Sequence, residues 1–266
     1  MPEAVPGGPR TVAEVYNEPA MEWNLRTAGY HLHPLGEDAT VALADRAAHY
    51  GFPPGGVVLD VASALGAPAR YLVRRFGATV VCLDMDPRMH AAGRAAARAE
   101  GLGLACQQLL CRAEQIPLAP ASCDAAWSQD AICHMNADAV VPEVARVLLP
   151  GAVFAFTDWV GTNHTTEADR EALRQLWAFP RMPTLAQYVA LLDGSGFDVL
   201  LAEDRTAWAA VARRRVTAAD QEIWLAGYAA RWGEEEVARR ITPGEAWREM
   251  VIGGRGGYAM FIARRR

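Results

Sequence analysis

The sequence predicts an α/β protein: a doubly wound, mostly parallel sheet of seven strands with a helical lid. Three observations lead there. Short apolar runs alternate with segments of helical period, Gly and Pro punctuate the junctions, and β-branched or aromatic residues gather in the runs. Residues 1–10 are rich in Pro and Gly and read as a loose tail, followed by a polar-aromatic arm and a helix over 39–50. VVLDV (57–61), set between Pro53-Pro54-Gly55-Gly56 and a turn of small residues, is the first buried strand. A helix over 67–76 leads to a second strand at 78–84, and an Ala- and Arg-rich helix over 87–100 closes at Gly101. Strands are expected next at 104–110, 123–129 and 151–159, with a helix over 137–148 between the last two. Beyond Trp159 the pattern gives helices near 166–177 and 184–194, a strand at 197–204, helical structure across 206–252 and a last strand at 258–264. No repeat or linker interrupts the chain. It divides into an N-terminal arm and helix (1–50, part of the lid), a core (51–205), and a helical insert with the last strand (206–266).

Composition narrows the function. With 52% hydrophobic and 21% charged residues among 266, the chain has ordinary globular composition and is not disordered in bulk. Its 26 basic against 31 acidic residues leave a net charge of −5, which exerts no pull toward phosphate backbones or anionic lipid, so neither a nucleic-acid nor a membrane partner is expected. Every basic residue is Arg, which excludes a Schiff-base lysine and a P-loop lysine. The five cysteines are odd in number, form no C-x-x-C and sit mostly in apolar runs; they read as reduced, buried thiols, and no metal site is expected. The N-terminus has no apolar h-region and no apolar run reaches the ~18 residues of a membrane span. A cytoplasmic protein is expected.

In open parallel sheets the ligand lies at the carboxyl ends of the strands, where the strand order reverses. Those ends are Asp60-Val61-Ala62-Ser63-Ala64-Leu65-Gly66, Asp84-Met85-Asp86, Arg112-Ala113-Glu114 and Ser128-Gln129-Asp130. A strand, a turn of small residues and a helix bring backbone N–H groups close to a ligand. An acidic residue closing the second strand, Asp84, is placed to accept hydrogen bonds from ribose hydroxyls. An adenosine-type ligand follows. The segments VVLDVASALGAPARYLVRRFGATVVCLDMDPRM and IPLAPASCDAAWSQDAICHMNADAVVPEVARVLLPGAVFAFTDWV resemble class I S-adenosylmethionine-dependent methyltransferases, most closely the sarcosine and dimethylglycine N-methyltransferase branch. The resemblance implies a Rossmann-like methyltransferase fold with S-adenosyl-L-methionine as cofactor. It places the first turn (Asp60, Ala62, Ser63, Gly66) against the methionine part and Asp84, with Met85 beside it, at the ribose. It puts Arg112, Ala113 and Glu114 at the adenine and Gln129 near the methionine end.

Two departures from that family's pattern stand out. Ala62 and Ala64 occupy positions where the family has glycine, so a positive φ at either would cost roughly 1 kcal/mol or more. Arg112, a pure donor, stands where the family places an Asp that accepts from the adenine amino group. For the acceptor side, His134 just after the fourth strand is the candidate base of near-neutral pKa, giving turnover that rises through pH 6–8 with amine acceptors. Tyr16, Tyr30 and Trp159 offer aromatic faces for a cationic methyl or ammonium; His31, His33, Asp130 and Asp158 complete the candidate acceptor contacts. The expected function is methyl transfer to a small-molecule acceptor, an amine or another small metabolite or natural-product intermediate. The alternatives are a methyltransferase fold repurposed for cyclisation or rearrangement, and a non-catalytic binding subunit.

Overall fold

The computed structural model describes residues 11–16, 35–214, 226–227 and 229–266. After a single helical turn, α1 (Val12–Val15), and a long helix, α2 (Gly36–His49), strands and helices alternate. They run β1 (Val57–Val61), α3 (Ala67–Phe76), β2 (Thr79–Asp84), α4 (Pro87–Ala99), β3 (Cys106–Leu110), β4 (Cys123–Gln129), α5 (Ala137–Val147) and β5 (Leu148–Gly161). The second half adds α6 (Glu167–Trp177), α7 (Leu185–Gly194), β6 (Phe197–Asp204), α8 (Thr206–Arg214), α9 (Glu234–Ile252) and β7 (Gly256–Arg265). Seven strands form one sheet in the order β3-β2-β1-β4-β5-β7-β6. All neighbours are parallel except β7, which runs antiparallel to both β5 and β6. Strand order reverses between β1 and β4, so the crevice for a ligand opens at Val61 and Gln129.

Alternation along the strands divides the core. Leu59, Val61, Ala126, Phe154 and Phe156 pack against Val140, Val144 of α5 and Tyr188, Leu192 of α7. Val58, Val80, Ala125, Trp127 and Ala155 pack against Leu43, Ala44 of α2, Ala69, Leu72 of α3 and Ala97 of α4. A third cluster lies past the strand ends. There Trp159 and Tyr258 meet Leu173, Phe179, Met182, Ala209, Trp247 and Val251, tying α6, α8 and α9 to the sheet.

The predicted elements appear with shifted ends. The third strand starts at Cys106, because Leu104 is exposed and the Ala105 N–H donates to the Leu102 carbonyl in a turn. The fifth lengthens to Leu148–Gly161, its tail paired with β7 out to Gly256. The helix expected at 39–50 begins at Gly36, where Glu37 and Asp38 in the first turn favour its positive end. Within 206–252 lie α8 and α9, with further helical residues at 226–227 and 229–232, and the rest of the span between them is outside the described set apart from Gly233. No helix among the described residues is long and apolar enough to cross a membrane.

Candidate active site

Left-handed backbone marks the first turn. Ala62 (φ 56°), Ala64 (φ 47°) and Gly66 (φ 68°) alternate through it, so the two alanines carry the conformation a glycine would take without penalty. Each costs roughly 1–2 kcal/mol. The surroundings hold the turn in place: Ser63 N–H donates to the Leu83 carbonyl at 2.8 Å, and Ala64 N–H to Asp84 Oδ2 at 2.9 Å. Buried Arg70 donates from Nη1 to the Leu65 carbonyl at 2.8 Å while its Nε holds Glu100. Gly93 of α4 lets the helix approach, since a Cβ there would stand 3.3 Å from the Leu65 oxygen. Strain kept by several independent contacts is typical of a functional turn.

Asp60, Asp84 and Gln129 bury their side chains around it. Burial, with Cys106 and Asp84 nearby, pushes the Asp60 carboxyl well above its usual range. Burial also raises Asp84, against the Asp86 and Ala64 N–H groups that it accepts. Among the described residues, Asp60 Oδ2, Ser63 Oγ and Gln129 Nε2 are buried without a hydrogen-bond partner. Met85 is exposed, Ala113 is buried, and Arg112 lies largely in solvent with its Nη2 3.2 Å from Glu114 Oε1. His90 of α4, which sequence reasoning did not single out, is buried with Nε2 3.1 Å from the Asp84 carbonyl, where an Nε2–H donates.

Beyond β4 a single 3₁₀ turn, Ile132–His134, presents His134. Its Nε2 lies 3.1 Å from the Tyr16 hydroxyl, and its ring meets Tyr16 and Phe179 edge-on at 5.5 and 4.7 Å. Tyr16 itself packs against the cluster of Leu65 and Met89, which Ala64 and Ala92 also join, so the end of α1 lies against the first turn. Burial lowers the His134 pKa to about 4, although backbone groups of Ala178 and Trp177 act in the opposite sense. This runs against the expected base of near-neutral pKa, because burial beside Tyr16 and Phe179 favours the uncharged ring.

The carboxylates next to it accept hydrogen bonds from within the protein. Asp130, itself left-handed at φ 53°, accepts at Oδ1 from Thr157 Oγ1 (2.9 Å) and the Tyr258 hydroxyl (2.8 Å). Asp158 is fully buried; its Oδ2 accepts from the Tyr188 hydroxyl at 2.5 Å and its Oδ1 from the Trp159 N–H at 2.9 Å. Burial pushes its pKa up to about 7 against the bonds from Tyr188 and Cys133. Trp159 is buried too, against Trp247 (4.6 Å) and Tyr258 (4.8 Å). Asp158 and Trp159, expected as acceptor contacts, are parts of the packed interior, since Tyr188 and Cys133 cover the first and Leu173, Trp247 and Tyr258 the second. The geometry gathers Tyr16, His134 and Phe179 at one spot, and Tyr30, His31 and His33 lie outside the described residues. Tyr258, Tyr188 and Phe179 were not foreseen. Their signal, a polar or aromatic residue at a strand or helix end, is no different from core pattern. Among the described residues no three His, Cys, Asp or Glu side chains are grouped to hold a metal ion.

A sheet of this order with an antiparallel seventh strand, and a turn-and-acid pair at the β1 and β2 ends, defines the Rossmann-like methyltransferase fold. Residues 59–156 match the sequence model of a methyltransferase domain. The sterol 24-C-methyltransferase of Eremothecium gossypii is 31% identical over 182 residues, covering 64% of this chain and 48% of that protein. The sarcosine/dimethylglycine N-methyltransferase of Halorhodospira halochloris is 28% identical over 154 residues, 58% of this chain and 55% of that one. In these two cases the chain spans about half the length of the curated relative. Among solved structures, phosphoethanolamine N-methyltransferase 2 of Haemonchus contortus, bound to phosphomonomethylethanolamine and S-adenosylhomocysteine, superposes with a TM-score of 0.81 at 20% identity. That alignment covers 96% of this chain and 60% of that one, and shows the shared fold.

Proposed function

We propose that the chain transfers a methyl group from S-adenosylmethionine to a small-molecule acceptor, an amine or another small metabolite. The observation that carries this reading is the first turn, strained at Ala62 and Ala64 and standing beside buried polar atoms that no group among the described residues satisfies. Those atoms fit the cofactor's amino-acid end: Asp60 Oδ2 suits an ammonium, and Ser63 and Gln129 offer further polar contacts. Asp84, with lone pairs left after accepting two N–H groups, suits ribose hydroxyls, and Met85 stands beside it. At the adenine, Arg112 supplies only donors, which leaves Glu114 as the side-chain acceptor and Ala113 as packing. When bound, S-adenosylmethionine supplies an electrophilic methyl on a sulfonium.

The chain's own part is to hold the acceptor atom near attack distance and exclude water. Tyr16 and His134 are the residues we assign to that end. A neutral His134 is a hydrogen-bond partner that orients the Tyr16 hydroxyl rather than a store for a proton. Rings of Tyr16 and Phe179 around the imidazole favour a cationic or apolar acceptor, and Asp130 lies on the adjoining strand end. The end of α1 with helices α8 and α9 acts as the lid, a reading supported by Tyr16 packing against Leu65 of the first turn and by the Trp159–Trp247 cluster, while α2 packs on the sheet as part of the core. The test is transfer of labelled methyl from S-adenosylmethionine to a panel of small amines, hydroxylated metabolites and apolar carbon acceptors. Tyr16→Phe should lower turnover about tenfold or more, as removal of a positioning hydrogen bond does, with S-adenosylhomocysteine affinity nearly unchanged. Methylation of protein or RNA but of no small molecule would refute the acceptor class.

A further inference from the structure

Gln129 ends β4 at the point where strand order reverses, on the sheet face it shares with Trp127, and its side chain is about nine-tenths buried. Two side chains converge on its amide. The Trp127 indole Nε1 lies 3.1 Å from one terminal atom, and the Thr40 hydroxyl of α2 lies 2.9 Å from the same atom. An indole N–H can only donate, so the amide atom that it meets is the oxygen. That fixes which way round the amide sits: Oε1 is taken by two donors inside the protein. Nε2, carrying two N–H donors, is buried with no partner among the described residues.

We infer that Thr40 and Trp127 are positioning residues that turn Gln129 into a dedicated donor, and that the ligand group it meets is the amino-acid carboxylate of the cofactor. The inference rests on the proposed cofactor. An amide free to flip would accept or donate equally, and so would not distinguish a carboxylate from an ammonium. Locked as it is, it rejects the ammonium and pairs with an anion. Asp60, whose unpartnered Oδ2 belongs to β1 next to β4, has the opposite polarity. An acceptor on β1 and a donor on β4 together read the two charges of an α-amino acid in one orientation. Thr40 brings α2, which precedes the first strand in the chain, into that recognition.

The probes are S-adenosylhomocysteine, which has the amino-acid group, and 5′-methylthioadenosine, which lacks it. Both are titrated calorimetrically into the full chain, with circular dichroism to establish folding of each variant. Thr40→Val should weaken S-adenosylhomocysteine about five- to tenfold and leave 5′-methylthioadenosine within about twofold, because only one of the two locks is lost. Thr40→Ser, which keeps the hydroxyl, should restore most of the affinity. Gln129→Glu, which replaces the donor by an acceptor, should cost S-adenosylhomocysteine more than Thr40→Val does and again spare 5′-methylthioadenosine. Should Thr40→Val not fold, Thr40→Ser and Gln129→Glu still decide the matter. Equal losses for both probes, or none for either, in folded variants of a wild type that binds both would overturn the carboxylate assignment. A wild type that binds neither would overturn the cofactor reading and this inference with it.

Discussion

The first turn and the carboxylate layer behind it treat buried polar groups in opposite ways. Around the turn, Asp60 Oδ2, Ser63 Oγ and Gln129 Nε2 are sealed from water without partners, and two alanines hold unfavourable backbone angles. On β5, Asp158 accepts at both carboxylate oxygens, from the Tyr188 hydroxyl and from the Trp159 N–H. A buried group left unsatisfied costs about 1–3 kcal/mol, which a stable fold tolerates where a bound molecule later supplies the bond. The difference separates a surface prepared for a ligand from a network that holds the strand ends together. Charge alone does not make that distinction, since both regions contain buried Asp.

The largest effect should come from the ligand side. Asp84→Ala removes the acceptor for the Ala64 N–H as well as the group assigned to the ribose, and should cost about 2 kcal/mol or more in S-adenosylhomocysteine affinity, roughly thirtyfold. Asp158→Asn, on the network side, should leave that affinity within about twofold. An unaltered dissociation constant in folded Asp84→Ala would show that the ribose has been misplaced.

A second contrast is in pH. His134, lowered from 6.5 to about 4, binds a proton in the unfolded chain before the folded one, so it contributes stability above pH 6.5 that is lost as pH falls toward 4. Asp158, raised from 3.8 to about 7, does the reverse: its contribution is full below pH 3.8 and is lost as pH rises through 7. Between these values each group contributes a slope of at most about 1.4 kcal/mol per pH unit, with opposite signs. Denaturant midpoints from pH 4 to 7 should therefore climb more steeply with pH in Asp158→Asn than in the wild type, and less steeply in His134→Gln. Parallel curves for all three proteins would show that neither group titrates as its burial requires. For turnover, a neutral His134 adds no limb near pH 6.5, and the profile with amine acceptors should follow the acceptor's own ionisation.

The smallest effect concerns strain. Ala62→Gly and Ala64→Gly should each relieve a left-handed alanine by roughly 1 kcal/mol, part of which the greater freedom of glycine in the unfolded chain offsets. Thermal midpoints should rise by up to about 2–4 °C for each kcal/mol gained. A fall of several degrees would mean that the methyl groups fill space the turn requires.

Most of the sheet was legible in the sequence because it depends on local signals. VVLDV between Pro-Gly and small residues gave β1 to the residue, and the helix over 67–76 matched as closely. The ends that moved, at Cys106 and Leu148, are set by pairing with a neighbouring strand rather than by the run itself. The positive φ at Ala62 and Ala64 was also legible, since the family resemblance marks both as positions where glycine is usual. What no local pattern reveals is burial and direction. Asp158 and Trp159 lie near the carboxyl end of β5 as Gln129 does of β4, yet only the folded packing shows that they are walled in. His134 was legible as a candidate from its place just after β4, but the surroundings of its ring come from Phe179 and Tyr16, which are remote in sequence. Thr40, a polar residue inside an ordinary amphipathic helix, gave no sign that it reaches Gln129 across 89 positions.

The most direct measurement of the central claim is a calorimetric titration of S-adenosylhomocysteine into the wild type, Asp60→Asn and Asp158→Asn. If the unsatisfied atoms around the strained turn are the ligand site, the wild type binds one equivalent in the micromolar range, Asp60→Asn loses about tenfold or more, and Asp158→Asn is unchanged. No heat with the wild type, or equal losses in the two variants, would contradict it.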